Sequence, residues 1–529
     1  MSSALSLKLL QHHLTHTTIS RDDSGIPFAH PTTLFSSSSS STPRSSPPAW
    51  NYAPAASSDP LNFASFVPLF ATADTSSLSP IFRLGSALFD PIDLHLNRSR
   101  AESGTTGETL ITPDIRNRVQ MLRRKKALSK WLGEVVKPSV DSDLRTQVNG
   151  SNGDNPSLIY LTNLIITFIS VVAYTPADAA FTHLTGHQVS EACSTAADGG
   201  YLKLSTLISQ AGGDDLYKND IIAQLDIWKN EKLAPGSNPG LGNPQNGLVG
   251  RSVWKVYNLL GGLLTEGPEG TSEDILCAGL DWKRTFGLCL WYGTSVDSSV
   301  ADAVNTYEHV LSEGVQNLSS NQIAQPIPKW AIGKKKFLTP SPTSSRFGLF
   351  TSSLIQAPDD PLFALIKLCA DPTLSLSKAL NPLSFAPSGL DWGIGMCWHL
   401  YIILSRIMRV RDFADRSYPG AKFKGRPPGN LTNGFEGSGG REHSSTSSSD
   451  VSKDEDDEGP SEGHSPTADL LTSSYAFELE SWGMIQEAAF VLLHLEGSVG
   501  YVLSRPLVNV ALYLYWDHLI GAKRLSKTS

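Results

Sequence analysis

The chain has 529 residues, 40% of them hydrophobic and 18% charged, with 33 Pro and 43 Gly, which suits a folded body interrupted by flexible stretches. Its formal charge is -8, and Asp450 to Glu462 alone holds seven acidic residues and one Lys, so the remainder carries only -2. So neutral a body lacks the clustered Lys and Arg that draw affinity from phosphates, which excludes direct nucleic-acid binding as the expected function.

From the N-terminus, Met1 to Leu10 has no long apolar run behind a basic start and does not read as a secretory signal. His12, His13 and His16 place imidazoles one helical turn apart, as metal sites need. No Cys or carboxylate pair completes the set, so a solvated polar stretch is the preferred reading. Ser36 to Pro60 is dominated by Ser, Pro and Ala; it cannot bury enough apolar surface to offset chain entropy and is expected to be disordered.

Thr112, Pro113 and Asp114 supply an N-cap, a first-turn proline and an early carboxylate ahead of Ile115, Val119 and Leu122. The predicted helix starts there and is expected to end before Pro138. Its basic run, Arg123 to Lys126, reads as a solvated face in preference to an import signal or partner contact. Leu158 to Tyr174 is free of charge, but a membrane span needs about 20 apolar residues, and this run contains Thr162, Asn163 and Thr167. It is read as a fully buried element, with a single-pass membrane anchor as the alternative.

Val189, Ala192, Cys193 and Ala196 then occupy helical positions before Gly199-Gly200. Leu204, Leu207, Ile208 and Ala211 repeat the spacing before Gly212-Gly213, and Val253, Val256, Tyr257 and Leu260 do so before Gly261-Gly262. Short amphipathic helices closed by double glycines suggest stacked antiparallel helices, and strand patterns are sparse, so the fold class is all-α. Pro235 to Gly247 and Pro326 to Ser345 read as loops.

The densest cluster is Leu280 to Tyr292, LDWKRTFGLCLWY. Trp282, Phe286, Cys289 and Leu290 recur at helical spacing beside Trp291 and Tyr292, a pattern of core packing and not of a ligand site. Asp281, Lys283 and Arg284 are expected to face outward or cap the helix. Further on, Tyr418 to Ser473 combines RPPGN, EGSGG, a Ser-rich run and the acidic patch, and reads as a long disordered loop inside the fold. Thr339, Ser341 and Ser465 each precede a proline in segments read as exposed loops and are candidate phosphorylation sites.

The five cysteines, Cys193, Cys277, Cys289, Cys369 and Cys397, are scattered and form no C-x-x-C pair, so they read as reduced core residues of an intracellular protein. No phosphate loop, nucleophile elbow or zinc helix is present. No catalytic, cofactor-binding or metal-ligating residue is therefore expected, nor any small-molecule substrate.

LDWKRTFGLCLWYG followed by VADAVNTYE resembles the signature of the nucleoporin 96 family. RRKKALSKWL at Arg123 to Leu132, with Trp131, Phe181 to Gly213 and Ile222 to Trp228 are similar to family segments in the same order. So are Asp360 to Asp371, LDWGIGMCWHLY at Leu390 to Tyr401, with Trp398, and Tyr475 to Glu496, with Trp482. The residues taken as the core of the family motif are Trp131, Asp281, Trp282, Trp291, Tyr292, Trp398 and Trp482.

The resemblance implies a folded-back α-solenoid, the ancestral coatomer element with its trunk and crown. It further implies a scaffold role in the Y-shaped subcomplex of the nuclear pore complex, peripheral to the nuclear envelope, in support of mRNA and protein transport. A related helical nucleoporin would be the partner of the crown, through about Phe181 to Tyr307, and a β-propeller shared with the COPII coat would be completed by upstream strands. No strand pair is recognised before Ile81, which speaks against the propeller contact, and the two Phe-Gly dipeptides, Phe286-Gly287 and Phe347-Gly348, make no permeability barrier. The alternative with the same fold is a COPII-type vesicle-coat rod.

The expected organisation is a mostly disordered segment over 1–80, a solenoid over 81–417, the disordered acidic loop over 418–473, continued solenoid over 474–500, and 501–529. That last stretch and Leu158 to Tyr174 depart from the family pattern, through either an imperfect or truncated gene model or genuine divergence.

Overall fold

A computed structural model describes residues 3–21, 27–31, 61–70, 78–92, 113–151, 175–235, 248–265, 276–317, 323–331, 358–385, 393–416 and 465–496. The described residues are helical apart from one hairpin, in which β1 (Thr17–Arg21) pairs antiparallel with β2 (Pro27–Pro31) and Ile19 opposes Ala29. A strand pair does therefore precede Ile81, behind helix α1 (Ser3–Thr15). Residues 3–31 and 61–70, expected within a mostly disordered start, carry elements of the core: Leu9, Leu10, Phe63 and Phe66 are fully buried. The expected disordered stretch 36–60, the apolar run 158–174 and residues 501–529 lie outside the described residues.

Local chemistry sets the helix boundaries. The short α2 (Phe63–Phe66) is capped by Asn62, which accepts from Ser65 N at 2.9 Å, and by Asp90, which accepts from Phe63 N and Ala64 N at 3.0 and 2.8 Å. Asp90 closes α3 (Ser79–Phe89), so one carboxylate ties two helices together. Helix α4 (Pro113–Ser151) passes straight through Pro138, where a stop was expected. A proline inside a helix costs about 3 kcal/mol. Contacts beyond it offset that cost: Val140 is buried, Gln147 donates to Thr182 at 2.9 Å, and Asp143 pairs with Arg284.

Next come α5 (Pro176–Leu184), opened by a Thr175/Asp178 capping box, α6 (Val189–Asp198), α7 (Leu202–Ile208), α8 (Asp215–Asn230) and α9 (Arg251–Gly261). Each of the three double glycines supplies one left-handed residue, Gly200, Gly212 and Gly262, with φ of 81, 78 and 77°. That backbone is open to glycine at little cost and lets each helix turn back on the last. Neighbouring helices pack in sequence, α5 on α6, α6 on α7 and α8 on α9.

The signature segment forms α10 (Trp282–Leu288), which widens into a π-helical turn over Cys289–Gly293, and α11 (Val300–Asn317) follows. The chain then folds back. Helix α12 (Pro361–Ala370) packs against both α11 and α3, and the Cys369 thiol lies 3.8 Å from the Leu88 carbonyl. After α13 (Leu376–Ala379) and α14 (Pro382–Phe385), α15 (Gly393–Tyr401) repeats the pattern of α10, widening into a π-helical turn over Ile402–Ile407. Helices α16 (Pro466–Ser481) and α17 (Ile485–Leu492) complete the stack, α16 on α15 and α17 on α1. One continuous apolar cluster runs from Leu9 to Val491. Among the described residues no helix is long and apolar enough to cross a membrane.

Candidate functional site

The signature segment is packed against helices α4, α9 and α11. Asp281 caps α10, its Oδ1 accepting from Lys283 N and Arg284 N at 2.9 and 3.1 Å. Trp282 meets Phe363 of α12 edge-on at 5.7 Å, and Phe286 meets both Tyr307 of α11 and Phe363. Trp291 donates to Ser129 Oγ of α4 at 2.8 Å and stacks on His187 at 4.8 Å, while the Tyr292 hydroxyl donates to Leu184 O at 3.1 Å. The segment thus joins helices α4, α5, α11 and α12. Burial pushes the Cys277 thiol up to about 12 and drives Cys289 well above its ordinary range, so both behave as apolar filling. Cys277, Cys289, Cys369 and Cys397 are free and buried, and Cys193 is free and half-buried.

Other motif residues serve the same kind of joint. Trp131 is buried on α4 and donates to Pro80 O at 3.1 Å. Trp398 is fully buried on α15, among His13, Tyr475 and His494 at 5.6, 5.4 and 5.3 Å. Gly395 makes room there, since a Cβ at that position would strike the Tyr475 ring. Trp482 differs: it stands at the C-terminal end of α16, 37% exposed, and is a surface residue.

Several side chains have roles that composition did not foretell. Arg284, expected to face outward, is 3% exposed; its guanidinium donates to Thr185 Oγ1 and pairs with Asp143. The basic run on α4 is only partly a solvated face: Lys126 is exposed, but Arg124 donates to Ala87 O and Asp90 O at 3.0 and 2.8 Å, and Lys125 to Ser295 O and Ser298 Oγ, both at 2.7 Å. Each cation thereby meets carbonyls left open at the end of a neighbouring turn. The histidines near the N-terminus are not a solvated stretch either. Ser6, Leu9, Leu10 and His13 follow the i, i+3, i+4, i+7 spacing of a buried face, and His13 is 1% exposed. That spacing was legible and was overlooked because polar residues flank it.

Ser465 is also corrected. It is a fully buried N-cap of α16, its Oγ donating to Asp415 Oδ1 at 2.7 Å and accepting from Ala468 N. Ser465-Pro466 is an N-cap followed by a first-turn proline, so the helix starts well before the expected end of the loop at 473. Asp415 also accepts from Thr467 N and Thr467 Oγ1, at 2.8 and 2.6 Å. Next to it Glu496, 6% exposed at its side chain, accepts from Tyr401 Oη, Arg406 and Arg416 at 2.7, 2.8 and 2.8 Å. Thr339 and Ser341 lie outside the described residues. Among the described residues, no group of His, Cys, Asp or Glu is arranged to hold a metal ion.

What the arrangement offers is a continuous set of helix joints with apolar centres and polar ties. The family described as Nuclear protein 96, Nup96, matches residues 178–501, the stretch that runs from α5 through α17. The chain belongs to the Nup96 family. It is 28% identical over 192 residues to the nuclear pore complex protein NUP96 of Arabidopsis thaliana, covering 36% of this chain and 14% of that protein. It is 28% identical over 338 residues to nucleoporin nup189 of Schizosaccharomyces pombe, covering 62% of this chain and 14% of the relative. Against nucleoporin NUP145 of Chaetomium thermophilum it is 26% identical over 229 residues, 40% of this chain and 12% of the relative. The matched stretches thus span only 12 to 14% of these Nup96 relatives. Both signature segments, with their paired π-helical turns, fall inside the Nup96 match, whereas α1 to α4 and the hairpin precede it.

Proposed function

We propose that this chain is a non-enzymatic structural component of the nuclear pore complex, a helical scaffold of its Y-shaped subcomplex at the nuclear envelope that supports transport of mRNA and protein. The observation that carries this reading is the Nup96 match across 178–501, joined to relatives named as a nuclear pore complex protein and as nucleoporins. The side chains of the signature segments are consumed in packing, which suits a rod that positions partners.

The partner of this scaffold is a second helical nucleoporin, bound through the region from Phe181 to Tyr307. Supporting this, helix α8 carries apolar residues on which nothing among the described residues packs closely: Leu216, Ala223 and Ile227 are exposed, at 71% for Leu216 and 48% for Ile227, and Leu202 on α7 is 67% exposed. Eleven residues of helix, about 16 Å, separate Leu216 from Ile227 on one side of the cylinder, the length of an interhelical contact. The propeller contact is not part of the proposal, because β2 is engaged within the chain through Ala29 N donating to Leu493 O at 2.8 Å.

The test is to express the tagged chain and its Leu216→Asp/Ile227→Asp variant. The parent is expected at the nuclear rim, co-purifying with a helical nucleoporin, and the variant is expected to fold normally and lose that partner. Cytoplasmic puncta for the parent would favour a vesicle-coat rod. Retention in membranes after carbonate extraction would favour an anchor at 158–174.

A further inference from the structure

Residues 3–31 precede the family-matched stretch, yet the surface they cover is built mainly from residues inside it. Helix α1 packs on α17, β2 packs on the π-helical turn after α15, and Ile19 and Ala29 form a small apolar cluster with Leu493. Leu9 and Leu10 enter the main core. At the centre of this contact His13 stacks on His399, with ring centroids 5.1 Å apart and planes 8° from parallel. His494 reaches the same place through Trp398, 5.3 Å away.

The three imidazoles are buried in their neutral forms with no room to accept a proton well. Among the described residues, neither ring nitrogen of His13 has a hydrogen-bond partner, and neither His399 Nδ1 nor His494 Nε2 has one. His399 Nε2 lies 3.3 Å from the Tyr475 hydroxyl, and His494 Nδ1 donates to Phe490 O at 3.1 Å, which leaves the proton-accepting lone pair of His494 facing apolar side chains. A metal ion does not fit this arrangement, because in-plane lone pairs on two parallel stacked rings do not converge on one point.

Among the described residues, the charges that act most on these three rings are imidazoles and a guanidinium. They come from His12 of α1, His16 just after it, His30 of β2 and Arg406 of the π-helical turn, and the rings also meet Tyr475 of α16, whose own charged neighbours are Glu478 and Glu487. Glu496, two residues from His494, is already taken by Tyr401, Arg406 and Arg416. An imidazolium formed here would be buried, unpaired and set against other cations.

We propose that residues 3–21 and 27–31 form an arm that is docked at neutral pH and released by acid, with His13, His399 and His494 as the groups whose protonation drives release.

The direction follows from linkage. Burial is the main cause that holds all three below the ordinary value of 6.5, His13 well below it, His399 at about 3 and His494 at about 4. Release returns them toward 6.5, so the free arm and groove bind more protons than the docked pair. Docking is therefore complete above about 6.5 and weakens as pH falls toward about 4, by about tenfold per pH unit for each histidine that gains a proton. At pH 5.5 full protonation of one such histidine on release weakens docking about tenfold, and each further one that is freed adds to this.

Hydrogen exchange of the full chain at pH 7.5 and 5.5, corrected for intrinsic exchange rates, tests this. Amides of 5–21 and 27–31 are expected to lose protection at pH 5.5 while those of 282–292 keep theirs. Equal protection of the arm at both pH values would overturn the proposal, as would its loss in step with 282–292. His13→Phe keeps an aromatic ring in place and takes no proton, so it is expected to shift release to lower pH; an unchanged profile in a folded variant also overturns it. The parent profile stands without the variant, so a misfolded His13→Phe chain leaves the test decisive.

Discussion

The Ser465 hydroxyl donates to Asp415 Oδ1 at 2.7 Å, so two residues 50 apart in sequence meet in the fold. Glu496 seals the junction from the other side, its Oε2 accepting from Ser465 N at 3.2 Å while Arg416 holds its Oε1. An excursion whose ends already touch is a matter of loop closure alone, and each halving of loop length changes that term by only about 0.6 kcal/mol. Replacing 418–463 by a short Gly-Ser linker is therefore expected to alter unfolding free energy by about 1 kcal/mol, whereas Asp415→Ala, which strands three donors, is expected to cost about 1–3 kcal/mol. Urea unfolding of the two chains ranks them, and a deletion more damaging than Asp415→Ala would mean that the excursion contributes to the core.

The two tryptophans Trp398 and Trp482 separate burial from motif membership. Trp398 is fully buried and 37% of Trp482 is exposed. Truncating the first leaves a cavity as well as lost transfer energy, so Trp398→Ala is expected to cost about 3–5 kcal/mol, as are Trp282→Ala and Trp291→Ala. Trp482→Ala is expected to cost under about 1 kcal/mol in the isolated chain, in keeping with a surface site. Thermal melts of the four variants decide it; equal losses at 398 and 482 would contradict the exposure of Trp482.

Much of the fold was legible from local rules. Spacing and double glycines placed α6, α7 and α9, and Asp281 was readable as a cap because a carboxylate ahead of an amphipathic run has free amides to meet. What failed were partners distant in sequence. Arg284 looks like a surface cation until Thr185 and Asp143, 99 and 141 residues away, are brought to it. Likewise nothing beside His13 announces His399 and His494. The π-helical turns after α10 and α15 were also invisible, since the same side-chain spacing suits an α-helix until tertiary packing inserts the extra residue. Helix α4 escaped its predicted stop because proline is a local penalty and its compensation is not local.

That compensation can be measured at Pro138. Its ring fixes φ and removes the amide that an alanine would offer to the Glu134 carbonyl one turn back, at a cost near 3 kcal/mol in an isolated helix. Since the helix is already formed through this point, Pro138→Ala keeps every tertiary contact and restores the bond. It is expected to raise stability by about 1–3 kcal/mol, read as an upward shift of the urea midpoint at unchanged slope. A destabilised Pro138→Ala chain would show that the proline sets a bend which Val140 and Asp143 require.

Acid should act on the fold in two separate windows, and the lower one belongs to the junction at Asp415 and Glu496. Burial alone would raise both carboxyls. Hydrogen bonds from Thr467 and Ser465 outweigh it at Asp415, and Arg406, Arg416 and Tyr401 outweigh it at Glu496, so both groups titrate below their ordinary values of 3.8 and 4.5. A group with a depressed folded value binds fewer protons when folded than when unfolded. Its contribution is therefore complete above the unfolded value and is lost as pH falls through the folded one. The junction is thus expected to hold at pH 5.5, where the histidine contact around His13 is already failing, and to give way only below about 4. Fluorescence unfolding in urea from pH 7 to pH 3 is the measurement: the parent should lose stability below about 4.5, and Asp415→Asn/Glu496→Gln, less stable at neutral pH, should lose less across that same range. If the double variant and the parent lose the same amount between pH 5 and pH 3, the acid response lies in other carboxylates.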